Sequence, residues 1–158
     1  MPTLFLLCGL PGSGKTTLAR QLERQHHTLT LNLDAWMVPL FGQHMERRVF
    51  DARLAQLQTM QWALAGRALQ LGVNVTLDWG FWRRAERETY RQRAEALGAR
   101  VRLLWLDVPS EVLWQRLLQR NGQGAAGTFE LDRNALDLFR ERFERPLASE
   151  EPEHLQHG

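Results

Sequence analysis

The chain has 158 residues, 44% hydrophobic and 24% charged, which excludes a disordered or low-complexity protein and points to one domain with one core. Its 20 basic and 18 acidic residues leave a formal charge of only +2, so the pI of 9.3 does not mark a nucleic-acid surface. A single cysteine, Cys8, excludes an internal disulfide, and no apolar run is long enough for a membrane span or a signal segment, so a cytoplasmic protein is expected.

Residues 3–8 form a short apolar run that predicts a buried strand. It leads into Gly9-Leu10-Pro11-Gly12-Ser13-Gly14-Lys15-Thr16, which fits the P-loop pattern G-x-x-x-x-G-K-[ST] at every fixed position. A helix follows from Thr17, with Leu18 and Leu22 four apart. Strand, glycine turn and helix start place backbone N–H groups and the positive end of a helix dipole around one anion. These eight residues and Thr17 are the expected nucleotide site. Lys15 is expected to reach the β- and γ-phosphates, and the Thr16 hydroxyl to bind Mg²⁺, so ATP and Mg²⁺ are the expected cofactors. Of the 20 Lys plus Arg residues, Lys15 is the only lysine. A compact ammonium stands where it must fit among phosphate oxygens, and arginine serves everywhere else.

Residues 28–33 alternate apolar and polar and predict a second strand, ending at Asp34. The segment 35–42 is apolar, is closed by Pro39 and Gly42, and reads as a helical turn or loop. A long helix is predicted over 46–71, on the stripe Phe50, Leu54, Leu57, Leu64, Ala68 and Leu71. Its first turns carry Arg47, Arg48, Asp51 and Arg53, read as a solvated face. A third strand over 73–77 ends at Asp78, followed by Trp79-Gly80-Phe81-Trp82 and a helix over 83–97. On that helix Arg83, Arg87 and Arg91 form a stripe interleaved with glutamates, read as a solvated, salt-bridged face.

The fourth strand is predicted over 100–108, a helix over 111–119 and a last helix over 132–143. Three glycines fall within 121–127, just after Arg116 and Arg120, which share a helix face. That pattern reads as a lid, at about 121–128, that brings positive charge to a transferring phosphoryl group. The domain is expected to span 1–148, with 149–158 a loose tail.

Strands alternating with helices imply parallel β-α-β units, whose ligands gather beyond the carboxyl ends of the strands. The P-loop, Asp34 and Asp78 all fall at that edge. Phosphoryl transfer needs Mg²⁺ and a group that orients or deprotonates the attacking hydroxyl, and the two acids can divide those roles. Trp36, Trp79, Phe81 and Trp82 follow the same strand ends and either line an acceptor pocket or pack in the core. Arg83 is a further substrate candidate. The five histidines show no metal-ligand spacing.

These residues resemble a family of small P-loop kinase-like proteins, often grouped as AAA-type ATP-binding domains. That family is related to polynucleotide kinase domains, zeta-type toxins and chloramphenicol phosphotransferases. The resemblance runs through residues 9–16, Leu-Asp-Ala-Trp-Met at 33–37, Leu-Asp-Trp-Gly-Phe-Trp at 77–82 and on to Arg87, the Arg116/Arg120 helix, and Phe143-Glu144-Arg145-Pro146. It implies a kinase core in which Asp34 is the catalytic base and Arg120 and Arg116 are lid arginines. The expected fold is α/β, a three-layer P-loop kinase-like fold with a four-stranded parallel sheet in the order 2-3-1-4 and a short lid.

In polynucleotide kinases an arginine commonly follows the acid at short spacing; here Trp36, Met37 and Val38 stand there. The expected activity is transfer of the ATP γ-phosphoryl group to a hydroxyl of a small molecule. Asp34, Trp36, Asp78, Trp79, Trp82 and Arg83 are the expected substrate contacts, and Thr16 and Asp78 the expected metal side. The alternatives are a polynucleotide 5′-hydroxyl kinase and an ATP-binding regulatory or ATPase module. No membrane partner is expected.

Overall fold

The computed structural model describes residues 1–123 and 131–156. In chain order the elements are β1 (Thr3–Cys8), α1 (Lys15–His26), β2 (Leu29–Asn32), α2 (Leu33–Phe41), α3 (Arg47–Gln70), β3 (Val75–Gly80), α4 (Arg84–Ala96), β4 (Arg100–Asp107), α5 (Ser110–Gln123), α6 (Arg133–Arg142) and β5 (Glu153–Gln156). All strand pairs are parallel, and the sheet order is β2-β3-β1-β4-β5.

The central strand explains the layering. β1 is apolar on both faces because helices cover both. Leu4, Leu6 and Cys8 pack with Ala65, Ala68 and Leu69 of α3 and Ala94 of α4. Phe5 and Leu7 point the other way, onto Ala19 and Leu22 of α1. Each large side chain buried this way contributes about 1.5–3 kcal/mol. A third cluster joins Leu113 and Leu117 of α5 to Leu136 of α6 and to Leu10 of the loop after β1, so α5 is packed directly against the site.

Three expectations are corrected. The sheet has five strands, not four: the order 2-3-1-4 holds and β5 extends it beyond β4. The segment expected to be a loose tail therefore includes an edge strand, in which Glu153 pairs with Arg102 and His154 stacks on Trp105 at 4.2 Å. Arg87 is not on a solvated face. It is 2% exposed, and Glu150 engages it through both oxygens, at 2.7 and 3.3 Å. Its neighbour Arg91 does behave as read, pairing with Glu88 and Glu95 in the open. A further difference is that β3 runs on through Gly80, so Asp78 lies within the strand.

Candidate active site

The loop after β1 closes by close backbone approach. The Gly9 N–H donates to the Gly80 carbonyl at 2.9 Å. A Cβ at Gly9 would lie 2.6 Å from Ser13 Oγ and 3.2 Å from the Leu106 carbonyl, so a larger residue would force Ser13 aside and crowd the Leu106 backbone. Gly14 caps α1 with φ at 98°, a left-handed turn that aims the first helical N–H groups back into the loop. Leu10 anchors the loop in the core, Ser13 is buried beneath it, and Thr16 and Thr17 stay open to solvent. Lys15 Nζ folds over the loop and donates to the carbonyls of Gly9, at 3.1 Å, and Leu10, at 3.0 Å. Burial lowers the Lys15 pKa below the usual lysine value, while the carboxylates of Asp78 and Asp34 pull it back up. Arg116 of α5 donates to the Gly12 carbonyl at 3.2 Å, tying the helix to the loop.

Behind the loop, Gly80 and Phe81 both have positive φ, 86° and 44°. That turn presents the Phe81 carbonyl to Cys8 Sγ, at 3.3 Å, and to Arg87 Nη1, at 2.7 Å. Burial pushes the Cys8 thiol up to about 12, so it is a neutral donor here and not a nucleophile.

Next to the loop lies Asp78, 4% exposed. Its Oδ2 accepts from Asn32 Nδ2, at 2.9 Å, and from Thr16 Oγ1, at 3.3 Å. Its Oδ1 takes no hydrogen bond from any described group. A buried carboxylate oxygen left unpaired is costly, and a cation or its water removes that cost. The Thr16 hydroxyl spends its proton on Asp78, which keeps its lone pairs for a cation. These hard oxygens fit Mg²⁺, which takes few protein ligands and fills its shell with phosphate and water. Among the described residues no group of three or more His, Cys, Asp or Glu side chains could hold a metal ion.

Asp34 comes from the first turn of α2, a helix capped by Asn32 Oδ1, which accepts from the Ala35 N–H at 2.8 Å. Asp34 is exposed, yet the protein around its carboxyl raises its pKa above the ordinary value. Lys15 and Arg120 pull it down, and Asp78 pushes it up. Arg120 of α5 is likewise lowered by burial and supported by Asp34. Four elements thus bring Asp34, Lys15, Arg120 and Asp78 into one electrostatic neighbourhood.

The aromatic candidates sit differently. Trp79 donates its indole N–H to Gln61 Oε1 at 2.9 Å, stacks on Phe81 at 5.6 Å and meets Tyr90 edge-on at 4.9 Å. Trp82 donates to the Gly9 carbonyl at 3.2 Å and packs on Phe139. Both residues are half-buried, with their N–H groups held by the scaffold. Trp36 is half-buried between the cluster over β1 and the one formed by Leu33, Met37 and Leu57. Arg83 is exposed at the start of α4. Of the expected lid, 121–123 complete α5, and 124–128 lie outside the described residues. Sequence reasoning missed Asn32 and Gln61; the signal for Asn32 was a capping residue placed just before an apolar helix that carries an acid in its first turn.

A family profile described as an AAA domain matches residues 4–146. No curated protein matches the chain. Among solved structures, Chaetomium thermophilum Kti12 in complex with ADP-AlF3 is 21% identical with a TM-score of 0.72, over 98% of this chain and 88% of that chain. A gluconokinase from Sinorhizobium meliloti 1021 is 17% identical with a TM-score of 0.65, over 98% of this chain and 82% of that chain. A chain of the Pnkp1/Rnl/Hen1 RNA repair complex is 24% identical with a TM-score of 0.66, over 90% of this chain and 46% of that chain. At these identities the likeness is one of fold, and the fold is that of P-loop kinases.

Proposed function

We propose that this chain, which belongs to the AAA domain family, is a phosphotransferase that moves the ATP γ-phosphoryl group to a hydroxyl of a small molecule. The observation that carries the reading is the convergence of Asp34 with Lys15, Arg120 and Asp78. A nucleotide switch needs the P-loop and a metal-side acid, but not a second carboxylate, with raised pKa, facing the same charges.

In this reading the loop amides and the Lys15 ammonium take the phosphates, and phosphate oxygens replace the Gly9 and Leu10 carbonyls as partners of Nζ. Thr16 and Asp78 hold Mg²⁺, which when bound neutralises phosphate charge. Asp34 accepts the proton of the acceptor hydroxyl as that oxygen attacks the γ-phosphorus and the bond to the β–γ bridging oxygen breaks, leaving ADP. A carboxyl whose pKa is raised is a stronger base at neutral pH than an ordinary aspartate. Arg120 balances the charge that develops on the transferring group.

The preference for a small acceptor rests on α2. No basic residue occurs within it, and Trp36 and Met37 pack inward. Of the arginines in the first turns of α3, Arg47 pairs with Asp51 and Arg53 lies over the Phe41 ring at 4.2 Å, while Arg48 is exposed. Incubation with labelled ATP, a metabolite mixture and, separately, 5′-hydroxyl DNA and RNA at low and moderate salt tests the reading. The expected result is label on a small compound with little salt dependence. Phosphate release alone points to an ATPase module, and efficient, salt-sensitive end-labelling points to a polynucleotide kinase.

A further inference from the structure

We propose that Asn32 is a positioning residue that sets the metal-side carboxylate, Asp78, and the acceptor-side carboxylate, Asp34, relative to each other; this rests on the phosphotransferase reading above. Asn32 is the last residue of β2 and stands in register with Asp78 on the neighbouring strand. Both ends of its amide are in use. Nδ2 donates to Asp78 Oδ2 at 2.9 Å, and Oδ1 accepts the Ala35 N–H at 2.8 Å, fixing the start of the helix that carries Asp34.

The Asn32 backbone is also braced from behind. Its backbone carbonyl accepts from Gln61 Nε2 at 3.0 Å, and Gln61, fully buried, accepts in turn from Trp79 Nε1 at 2.9 Å. The brace explains why a polar glutamine occupies the buried face of α3 and why Trp79 turns its N–H inward.

The position demands a donor and an acceptor on one short, planar group. Aspartate would set oxygen against the Asp78 carboxylate, and a serine or threonine hydroxyl can cap the helix but cannot also reach across as an N–H donor. With Oδ2 held by Asn32 and Thr16, the free oxygen of Asp78 is Oδ1. The amide therefore selects which carboxylate oxygen is left for a cation or its water. Because one rigid group touches both features, rotating it misplaces both.

The test separates the two ends. Asn32→Ser keeps a capping hydroxyl and loses the donor to Asp78; Asn32→Thr, which suits a strand end, serves if the serine variant does not fold. Asn32→Ala loses both ends. Binding of a non-hydrolysable ATP analogue is followed by calorimetry across a Mg²⁺ series, at a temperature where circular dichroism shows each variant folded. The serine variant is expected to need about 10-fold more Mg²⁺ at the midpoint, the loss of one charge-assisted hydrogen bond, with Mg²⁺-free affinity changed less than about 2-fold. At saturating Mg²⁺ it regains kcat, whereas the alanine variant stays roughly 10-fold low because Asp34 is also displaced.

A serine variant with the wild-type Mg²⁺ midpoint overturns the inference, whatever its melting temperature. Wild-type protein whose nucleotide binding ignores Mg²⁺ overturns the metal side of the site and the inference with it. Wild-type protein that binds Mg²⁺ and nucleotide, with the shifted midpoint in the variant but no transfer to any acceptor, overturns the phosphotransferase reading and supports the setting of Asp78 by Asn32.

Discussion

Replacing Glu150 with glutamine tests what the C-terminal segment does for the fold. Glu150 Oε1 accepts from Arg87 Nε at 2.7 Å, and Oε2 accepts from Arg87 Nη2 at 3.3 Å and from the Leu147 N–H at 2.7 Å. Either orientation of a glutamine amide turns its own N–H groups toward at least one of these donors. It also leaves the Arg87 charge, 2% exposed, without a counter-ion. Removing one partner of a buried pair costs about 3–5 kcal/mol. At roughly 2–4 °C per kcal/mol for a chain of this size, Glu150→Gln should lower Tm by about 6–20 °C at pH 7.

The pH dependence has a definite sign. Burial raises the Glu150 pKa, but the hydrogen bonds from Arg87 and Leu147 and the charges of Arg87 and Arg84 outweigh it, so the folded value lies below the ordinary one. A lowered carboxylate contributes stability above its unfolded pKa, about 4.3, and loses it as pH falls through the folded value. The gap between wild type and variant should therefore be full at neutral pH and close in acid. Glu153→Gln is the control. Its pairing with Arg102 is just as close, but the side chains are 42% and 37% exposed, and such a pair is worth about 0–1 kcal/mol. Thermal melts by circular dichroism at pH 7 and in acid decide the matter. A Glu150→Gln loss below about 2 °C, or one equal to that of Glu153→Gln, refutes the claim that burial separates the two pairs.

Lys15→Ala should lower nucleotide affinity in calorimetry by at least about 100-fold without lowering Tm, since a buried ammonium with a lowered pKa is a cost to the empty fold; unchanged affinity removes the P-loop assignment. Asp34→Asn should keep ATP affinity and cut transfer by roughly 10²–10⁴-fold. Wild-type transfer should fall with acid at an inflection above the ordinary aspartate value, because the Asp34 pKa is raised, and the asparagine variant should lack that inflection in a pH–rate profile. A raised carboxyl pKa makes ionisation in the fold a cost that grows as pH rises, so Asp34→Asn should equal or exceed the wild-type Tm at pH 7. Collapse of ATP affinity with transfer per bound nucleotide unchanged would instead place Asp34 on the metal.

The P-loop was legible because each of its fixed positions answers a local demand, such as the close approach at Gly9 and the turn at Gly14. The place of Asp34 beside the loop was legible because it directly follows a predicted strand, and the structure sets it in the first turn of the helix after β2. What was not legible depended on partners distant in sequence. β5 has one apolar residue in four and no strand pattern of its own; Arg102 and Trp105 of β4 supply its contacts. Arg87 matches the period of its exposed neighbours and differs only because Glu150 lies 63 residues away. Gln61 interrupts an apolar stripe, and only the Asn32 carbonyl and the Trp79 indole explain it. Trp79 and Trp82 could not be assigned to pocket or core from sequence, since indole serves both, and the partners that hold their N–H groups, Gln61 and the Gly9 carbonyl, lie far off in the chain.

Lys15 is the sole source of a side-chain amine in this chain, and its pKa lies below the usual lysine value. The neutral share, the form that acylating reagents attack, is therefore larger than for an ordinary surface lysine, while the Gly9 and Leu10 carbonyls hold the amine in the loop. Apart from a chain terminus, an amine-directed label can mark only the phosphate loop. Nucleotide held as proposed would cover that amine, so the mass of the intact chain after brief acylation would report occupancy of the site. The readout needs no knowledge of the acceptor, and it allows compounds to be screened for synergy with ATP before any product has been seen.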